Sequence, residues 1–311
     1  MTAAGQADGT RRVCATVHGT WDRSLEPALE VEPGEVVELR VPDASHDQIG
    51  EHAVVADLAT VDFERMNPVA GPVFVRGAEP GDALEVEILE VRTRSWGWTA
   101  IVPGFGLLAD DFAEPWLRIS QIEDGRVLFG DLSLPCRPFP GTIGVAPAEP
   151  GPHSVLPPSR FGGNIDVRHL TAGARLFLPV GVEGALFSAG DGHAVQGDGE
   201  VCGSAIETGM ELVLRLDVRC DLRIDAPQLL VPALVPAAEG PVHVTTGVAE
   251  DLHEAARAAA RAMIERLDGF GLGPHEAYAL LSVAGDLRIH EIVNAPRWVV
   301  GMALPEAVIG R

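Results

Sequence analysis

This chain of 311 residues contains no lysine; all 23 of its basic residues are arginine. That absence removes every mechanism that needs a lysine amine, such as Schiff-base chemistry or a phosphate-loop lysine. Long apolar runs are missing too. None approaches the roughly 20 residues of a membrane helix, so no membrane partner is expected. The opening MTAAGQADGTRR has no apolar core, and no secretory signal is read there. Cysteine is sparse. Cys14, Cys136, Cys202 and Cys220 form no C-x-x-C pair, so neither a zinc finger nor a redox motif is visible. Scattered cysteines without a signal peptide fit a reducing cytoplasm. Positive charge is scarce as well. The formal net charge of −22 repels phosphate backbones, so no nucleic-acid partner is expected. The same charge serves solubility and makes a divalent-cation site electrostatically easy to build.

What is present is a 46% hydrophobic content, ample for a core, in a length that suits one large domain or two to three small ones. The first 240 residues read as β structure, with short apolar segments between Gly/Pro turns. ALEVEPGEVVELRV (28–41) looks like a hairpin. Leu29 and Val31 precede a Pro33-Gly34 turn, and Val37, Leu39 and Val41 alternate after it. PVFVRGAEPGDALEVEILEVRT (72–93) repeats the device around Pro80-Gly81-Asp82, and both share P-G-[ED]-x-[VL]-x-[VL]. Further strands are read over 171–190, with Leu176, Leu178 and Val180 alternating, and over 210–224. Residues 137–163 hold too much proline for a central strand and read as an irregular, site-lining connection. Residues 226–241 read as an extended linker. Beyond it, Leu252, Ala256, Ala259, Met263 and Leu267 mark a helix over 250–270, with acids in its first turn and Gly269 after its end. A second helix starts at Pro274, and 286–296 reads as a strand. The expected fold is mostly β, sandwich- or barrel-like, with a smaller α+β C-terminal part. The boundaries expected are 1–130, 131–225 and 226–311.

The chemistry concentrates in GDGHAVQGDGEVCGSAIE (190–207). Asp191, His193, Gln196, Asp198 and Glu200 fall within ten residues, between glycines at 190, 192, 197 and 199. Gly-Asp-Gly is ordinary turn chemistry. Acids and an imidazole this dense are also a ligand set for a divalent metal. The order of residues is not that of an EF-hand. GGNID (162–166) adds Asn164 and Asp166, with Asp131 and Glu207 as further acids. His18, His46 and His153 are held as structural histidines that are also site candidates. Trp96, Trp98 and Phe105 are candidates to wall a small pocket, with core packing as the alternative. GFGLLA (104–109) matches a dinucleotide fingerprint only formally, because Pro115 stands where its helix should continue. No G-x-S-x-G elbow is present.

Several segments, in order, resemble the acetamidase/formamidase family. They are NPVAGPVFVRGAEPGDALEVEI (67–88), FPGTIGVAPAEPG (139–151), FGGNIDVRHL (161–170), LFLPVGVEGALFSAGDGHAVQGDGEVCGSAIET (176–208) and EAYALLSVAGDLRIHEIVNAP (276–296). The resemblance implies hydrolysis of a short carboxamide to acid and ammonia, a mostly β fold and a homo-oligomer, a dimer or tetramer. It also implies a divalent metal, zinc or calcium, at the place matched by Gly190–Glu200. Where formamidases of the family carry a motif of the type His-x-Arg-Trp-His, this chain reads His18-Gly19-Thr20-Trp21-Asp22, so the arginine and second histidine are missing. The lysine count agrees independently, since Ser-Ser-Lys and Glu-Lys-Cys amidases both need one, and metal-activated water is the alternative.

The expectation is therefore a metal on Asp191, His193 and Glu200, with Asp166 and Asp198 as further ligands. Glu207 or Asp198 serves as the general base. Zinc is favoured and calcium is the alternative metal. Two other functions stay open. One is a hydrolase of lactams or cyclic imides. The other is a non-enzymatic β protein with a structural calcium site, against which an imidazole ligand would count.

Overall fold

A computed structural model describes residues 12–159, 161–224, 227–230, 242–291 and 298–309. Apolar alternation makes Met210–Arg219 a strand at the centre of a six-stranded sheet. Val36–Val41 and Ala83–Thr93 flank it, both antiparallel, and Arg12–Cys14, Arg175–Pro179 and Gln228–Leu230 complete the sheet. Leu39, Leu84, Val86, Leu212 and Leu214 face inward and are buried. They meet Ala70, Val73, Phe139, Ile143 and Phe187 from a seven-stranded sheet, and the two sheets form one sandwich core. Neither sheet closes into a barrel. Strands from both sides of residue 130 enter both sheets.

The two Pro-Gly pairs are not hairpins. Leu29–Val31 runs parallel to Val69–Val75 in the seven-stranded sheet, while the strands that follow them lie in the six-stranded sheet. Each Pro-Gly turn is a corner that carries the chain across the sandwich. Gly34 and Gly81 adopt φ of +83° and +96°, open to glycine at little cost. Their amides bond outward, Gly34 N–H to Leu216 O and Gly81 N–H to Val180 O. Those bonds attach each corner to the far sheet, so the second strand pairs there and not with its predecessor.

The proline-rich passage also departs from expectation. Phe139–Gly144 is a fully buried strand inside the seven-stranded sheet, between Gly162–Asn164 and Phe187–His193. Only Thr142, Ile143 and Gly144 have partners on both sides. Pro140 lies on the stretch paired with Phe187–His193 alone, the edge-like position where proline is tolerated. The passage 226–241 is not all linker. Gln228–Leu230 forms an edge strand of the six-stranded sheet, and 231–241 lies outside the described residues.

The remaining elements form a second core. Helix α1 (Leu252–Asp268) is capped by Asp251, which accepts the Glu254 amide, and buries Ala256, Ala259, Met263 and Leu267. Helix α2 (Pro274–Ala284) begins with proline at its first turn. The strand expected over 286–296 is Asp286–Glu291, and 292–297 lies outside the described residues. It pairs with Trp298–Pro305, which also pairs with Val242–Ala249. The helices pack with Phe129 and Leu134 of a four-stranded sheet and with Val195, Val201 and Ile206 of the segment rich in candidate ligands. No helix among the described residues is long and apolar enough to cross a membrane.

Candidate active site

Phe187–His193 leaves the sandwich at His193, and the chain returns at Glu207. Ala194 N–H bonds to Ile206 O and Thr208 N–H to Gly192 O, closing a loop whose ends meet as a His193–Glu207 bridge. Asp191 and His193 therefore lie two apart on one strand, with Glu207 beside them. The neighbouring Phe139–Gly144 strand passes under this group. It brings Thr142 against Gly190 on one side and Asn164 on the other, and so delivers Asp166. Gly141 stands opposite Asp191. A Cβ there would lie 2.6 Å from Asp166 Oδ1, 2.7 Å from Asp191 Oδ2 and 2.7 Å from His193 Cε1, so only glycine leaves room for the cluster.

His193 is the hub. Its Nε2 lies 3.3 Å from Asp191 Oδ1, 3.2 Å from Glu207 Oε2 and 3.8 Å from Glu200 Oε1. Its ring stands edge-on to Phe139. Potential ligand atoms of Asp166, Asp191 and His193 lie within 4.8 Å of one another, as do those of His193, Glu200 and Glu207. Asn67 Nδ2 donates to Asp191 Oδ2 at 3.3 Å, and the Thr142 hydroxyl lies 3.2 Å from the same oxygen. Asn67, Asp166, Asp191 and Glu200 all hold positive φ, between +38° and +59°, which non-glycine residues rarely adopt. Such backbone conformations gather at functional sites.

The electrostatics are unbalanced. Four carboxylates surround one imidazole. Burial first, then Asp191, pushes Asp166 up to about 8. Burial likewise pushes Glu207 up to about 7 and Glu200 well above its ordinary range. His193 moves the other way from what burial alone would do, because Glu207 and Asp191 hold its proton well above the usual imidazole range. Burial opposes ionisation of Asp191 too, but His193 brings it below the ordinary carboxylate range. Asp166 Oδ1 and Glu207 Oε2 are buried without a hydrogen-bond partner. Unpartnered buried carboxylate oxygens are costly, and a cation removes the cost. The donor set of one imidazole with several carboxylates fits a divalent metal of the zinc type. An all-oxygen calcium site would not need His193.

A cavity of about 640 Å³ opens beside the cluster. Asp166, Glu200 and Asn164 give it a polar wall, and Phe105, Leu107, Ile165 and Val201 an apolar one. Asp191, His193 and Glu207 are buried and do not line it. Of the aromatic candidates, Phe105 is at the cavity, while Trp98 is buried with its backbone paired to Glu207 and Trp96 packs in the same cluster as Trp98.

Other candidates fall elsewhere. Asp198 faces Arg168 at 3.7 Å and is not among the gathered acids. Asp131 sits exposed on the turn before Leu132–Pro135. His18 bonds Thr20 O and Ser188 Oγ, His46 lies in the turn after Asp43, and His153 meets Glu149 O. GFGLLA is a glycine turn tied down by Tyr278 Oη, which accepts Leu108 N–H. Sequence reasoning missed Asn67, Gly141 and Thr142. Glycine inside the buried apolar run FPGTIG was the available signal, since such a glycine marks a close approach.

A family model described as the acetamidase/formamidase family matches residues 7–155 and 148–311. The acetamidase of Mycolicibacterium smegmatis is 31% identical over 266 residues, covering 64% of this chain and 65% of that protein, so this chain spans under two thirds of its length. The formamidase of Methylophilus methylotrophus is 27% identical across 94% of this chain and 89% of its own. Among solved structures, a γ-lactamase from Delftia acidovorans superposes with a TM-score of 0.89 at 25% identity, over 95% of this chain and 90% of that one. An acetamidase from Bacillus halodurans gives 0.69 at 32% identity, over 94% and 96%. This chain belongs to the acetamidase/formamidase family.

Proposed function

We propose that this protein is a metal-dependent amidohydrolase that cleaves the C–N bond of short carboxamides such as acetamide and formamide. The observation that carries this reading is a cluster of four carboxylates around one imidazole, two of them buried and two at the wall of a cavity, with Asp166 Oδ1 buried and without a hydrogen-bond partner. We take Asp191, His193 and Glu207 as the ligands, because the two carboxylates lie 3.3 and 3.2 Å from His193 Nε2, with Asp166 beside them. When bound, the cation supplies a Lewis acid that polarises the amide carbonyl and acidifies water, from 15.7 to about 7 in the zinc case.

The protein's own groups do the rest. A general base must reach the proton that it takes. That requirement moves the role from Glu207 or Asp198 to Glu200, which lines the cavity. Glu200 takes the proton of the attacking water and returns it to the departing nitrogen. Asn164 has its Oδ1 occupied by the Thr142 hydroxyl at 2.6 Å, which leaves its amide N–H groups for a substrate oxygen. Phe105 and Leu107 give the cavity an apolar wall that suits an acyl group.

A second reading, cyclic amides as substrates, is favoured by the cavity volume and by the γ-lactamase superposition. Cavities of roughly 300–1,000 Å³ suit ligands much larger than a two-carbon amide. We also take the protein to be a cytoplasmic homo-oligomer; light scattering reads the oligomeric state and cell fractionation the location. The deciding experiment measures metal by elemental analysis on protein purified without chelator. It then assays ammonia from acetamide and formamide, and the ring-opened amino acid from a γ-lactam, before and after chelation. Bound zinc with chelator-sensitive hydrolysis supports the proposal, and the panel ranks the substrates. Protein that carries no metal, or that carries it and hydrolyses none of the amides, overturns it.

A further inference from the structure

Gln196, five per cent exposed, sits on the Nδ1 side of the hub histidine, between it and the Asp166 backbone. One end of its amide lies 3.0 Å from Asp166 O, and the other 2.7 Å from His193 Nδ1. A backbone carbonyl only accepts, so the end that faces Asp166 O is the NH₂ group. The end that faces His193 is then the oxygen, and Nδ1 must donate to it. This leaves Nε2 as the ring nitrogen turned toward Asp191 and Glu207. Each end of its amide is engaged once, and Gln196 also reaches the cavity wall.

Gln196 is held in turn by the C-terminal elements. Arg168 Nη1 donates to Gln196 O at 3.3 Å and pairs with Asp286 at the start of the Asp286–Glu291 strand. The next residues are clamped from the same side. Gly197 N–H bonds to Ser282 O at 2.7 Å, and Leu287 N–H bonds to Asp198 O at 2.8 Å. A Cβ on Gly197 would fall 1.6 Å from Gly285 O, so the two segments touch backbone to backbone.

We propose that Gln196 is a positioning residue that fixes the His193 tautomer and ring orientation, and that the Arg168–Asp286 pair anchors it to the C-terminal elements. Asp198, the residue that the sequence offers as base or ligand, belongs to this anchor. It faces Arg168, and its amide approaches Asp286 Oδ1 at 3.4 Å. Partners of this kind on a metal-ligating histidine set its basicity and direction, and their loss typically costs 10–100-fold in metal affinity. The inference rests on the reading that the cluster holds a divalent cation.

The test uses full-length wild type, Gln196→Leu, Gln196→Glu and Asp286→Asn. Zinc affinity is measured by chelator competition, and His193 by nitrogen-15 shifts of the zinc-loaded protein labelled at histidine. Thermal melts confirm that each variant is folded. Gln196→Leu is expected to weaken zinc binding by about 10–100-fold and to remove the shift signature of an Nδ1–H donor. Gln196→Glu keeps the accepting oxygen, so it is expected to retain that signature and recover most of the affinity. Asp286→Asn should weaken zinc binding by less than Gln196→Leu. Wild-type zinc affinity in Gln196→Leu, or an equal loss in Leu and Glu variants, overturns the inference alone. Failure of the wild type to take up zinc overturns the metal reading, and this inference with it.

Discussion

The outer face of the six-stranded sheet and the buried cluster beside the cavity use the same acids and reach opposite electrostatic outcomes. On the outer face Glu85, Glu87, Glu90 and Glu211 each have a guanidinium. Glu85 meets Arg219 at 3.0 Å, Glu90 meets Arg92 at 2.9 Å, Glu87 pairs with Arg215, and Glu211 with Arg92. Glu90, Glu211 and Arg92 beside them are also open to solvent. In the cluster, Asp166, Asp191, Glu200 and Glu207 share one imidazole, and no arginine pairs with them among the described residues. The outer face is complete as it stands, whereas the cluster needs a positive charge from outside the chain. A chain without lysine has only arginine for a fixed cation, and among the described residues arginines pair with other acids, on the outer face, behind Gln196 and around the helices.

The sharpest way to break this contrast is to empty the hub. His193→Ala should reduce bound zinc to under a tenth of wild type. It should lower amide hydrolysis by about 10³-fold or more, since the Lewis acid supplies several kcal/mol to the transition state. Gly141→Ala should have an effect of the same order, although glycine supplies no ligand. Its methyl would fall inside contact distance of Asp166, Asp191 and His193. Elemental analysis and ammonia release check both. A Gly141→Ala protein with full zinc and full activity would show that the cluster is not where the metal sits.

Next in size is Glu200→Gln, which tests the assignment of roles within the cluster. It should lower kcat by about 10²–10⁴-fold while bound zinc stays near wild type. The matching Glu207→Gln should lower zinc affinity as well. If Glu200→Gln instead loses zinc and keeps kcat once zinc is restored by excess metal, the two glutamates exchange roles.

How much of this contrast can be read in the sequence differs between the two regions. The alternation of Leu212, Leu214 and Leu216 is local and shows directly. So does the α1 stripe through Ala256, Ala259 and Met263. The two Pro-Gly corners were visible as turns, but no local pattern says which sheet the next strand joins. That depends on the amides of Gly34 and Gly81 finding Leu216 O and Val180 O, far away in sequence. Counting prolines misjudged Phe139–Gly144, because the count ignores that Pro140 precedes the doubly paired residues. In the site, Asp191, His193 and Glu200 share one short segment and could be seen together. Asp166 and Asn67 reach it through strand register or side-chain hydrogen bonds, and Gly141 matters only for the space it leaves. The sequence also held Asp198 among the candidates, since spacing alone cannot tell a side chain that turns to Arg168 from one that turns to His193.

Chelation gives a smaller effect and separates the regions by pH. A cation that binds only the folded state at 100 times its Kd adds about 2.7 kcal/mol. Stripped protein should therefore melt several degrees lower. Stripping also leaves Asp166 at about 8 and Glu207 at about 7, both above their unfolded values. The folded state then keeps protons that the unfolded state has released. The stripped protein should lose stability steadily as pH rises from about 5 to about 8. Zinc-loaded protein should be nearly flat over that range. Melting curves at several pH values, with and without zinc, check this. A stripped protein that is equally stable at pH 5 and pH 8 would mean that the cluster's acids are not buried as described.

The smallest effect belongs to the outer face. Arg215 pairs with Glu87 across neighbouring strands, with the arginine side chain 44% exposed and the glutamate 26%. Exposed ion pairs contribute about 0.2–1 kcal/mol and are screened by salt. Arg215→Ala should therefore cost at most about 1 kcal/mol and less at high ionic strength. Its zinc content and amide hydrolysis should equal those of the wild type, because Glu87 without its partner turns to water while a cluster acid without its cation cannot. Denaturant melts at low and high salt measure the difference. A loss comparable to that of His193→Ala, or one insensitive to salt, would mean that the outer carboxylates are as confined as the inner ones, and the contrast between the two faces would not hold.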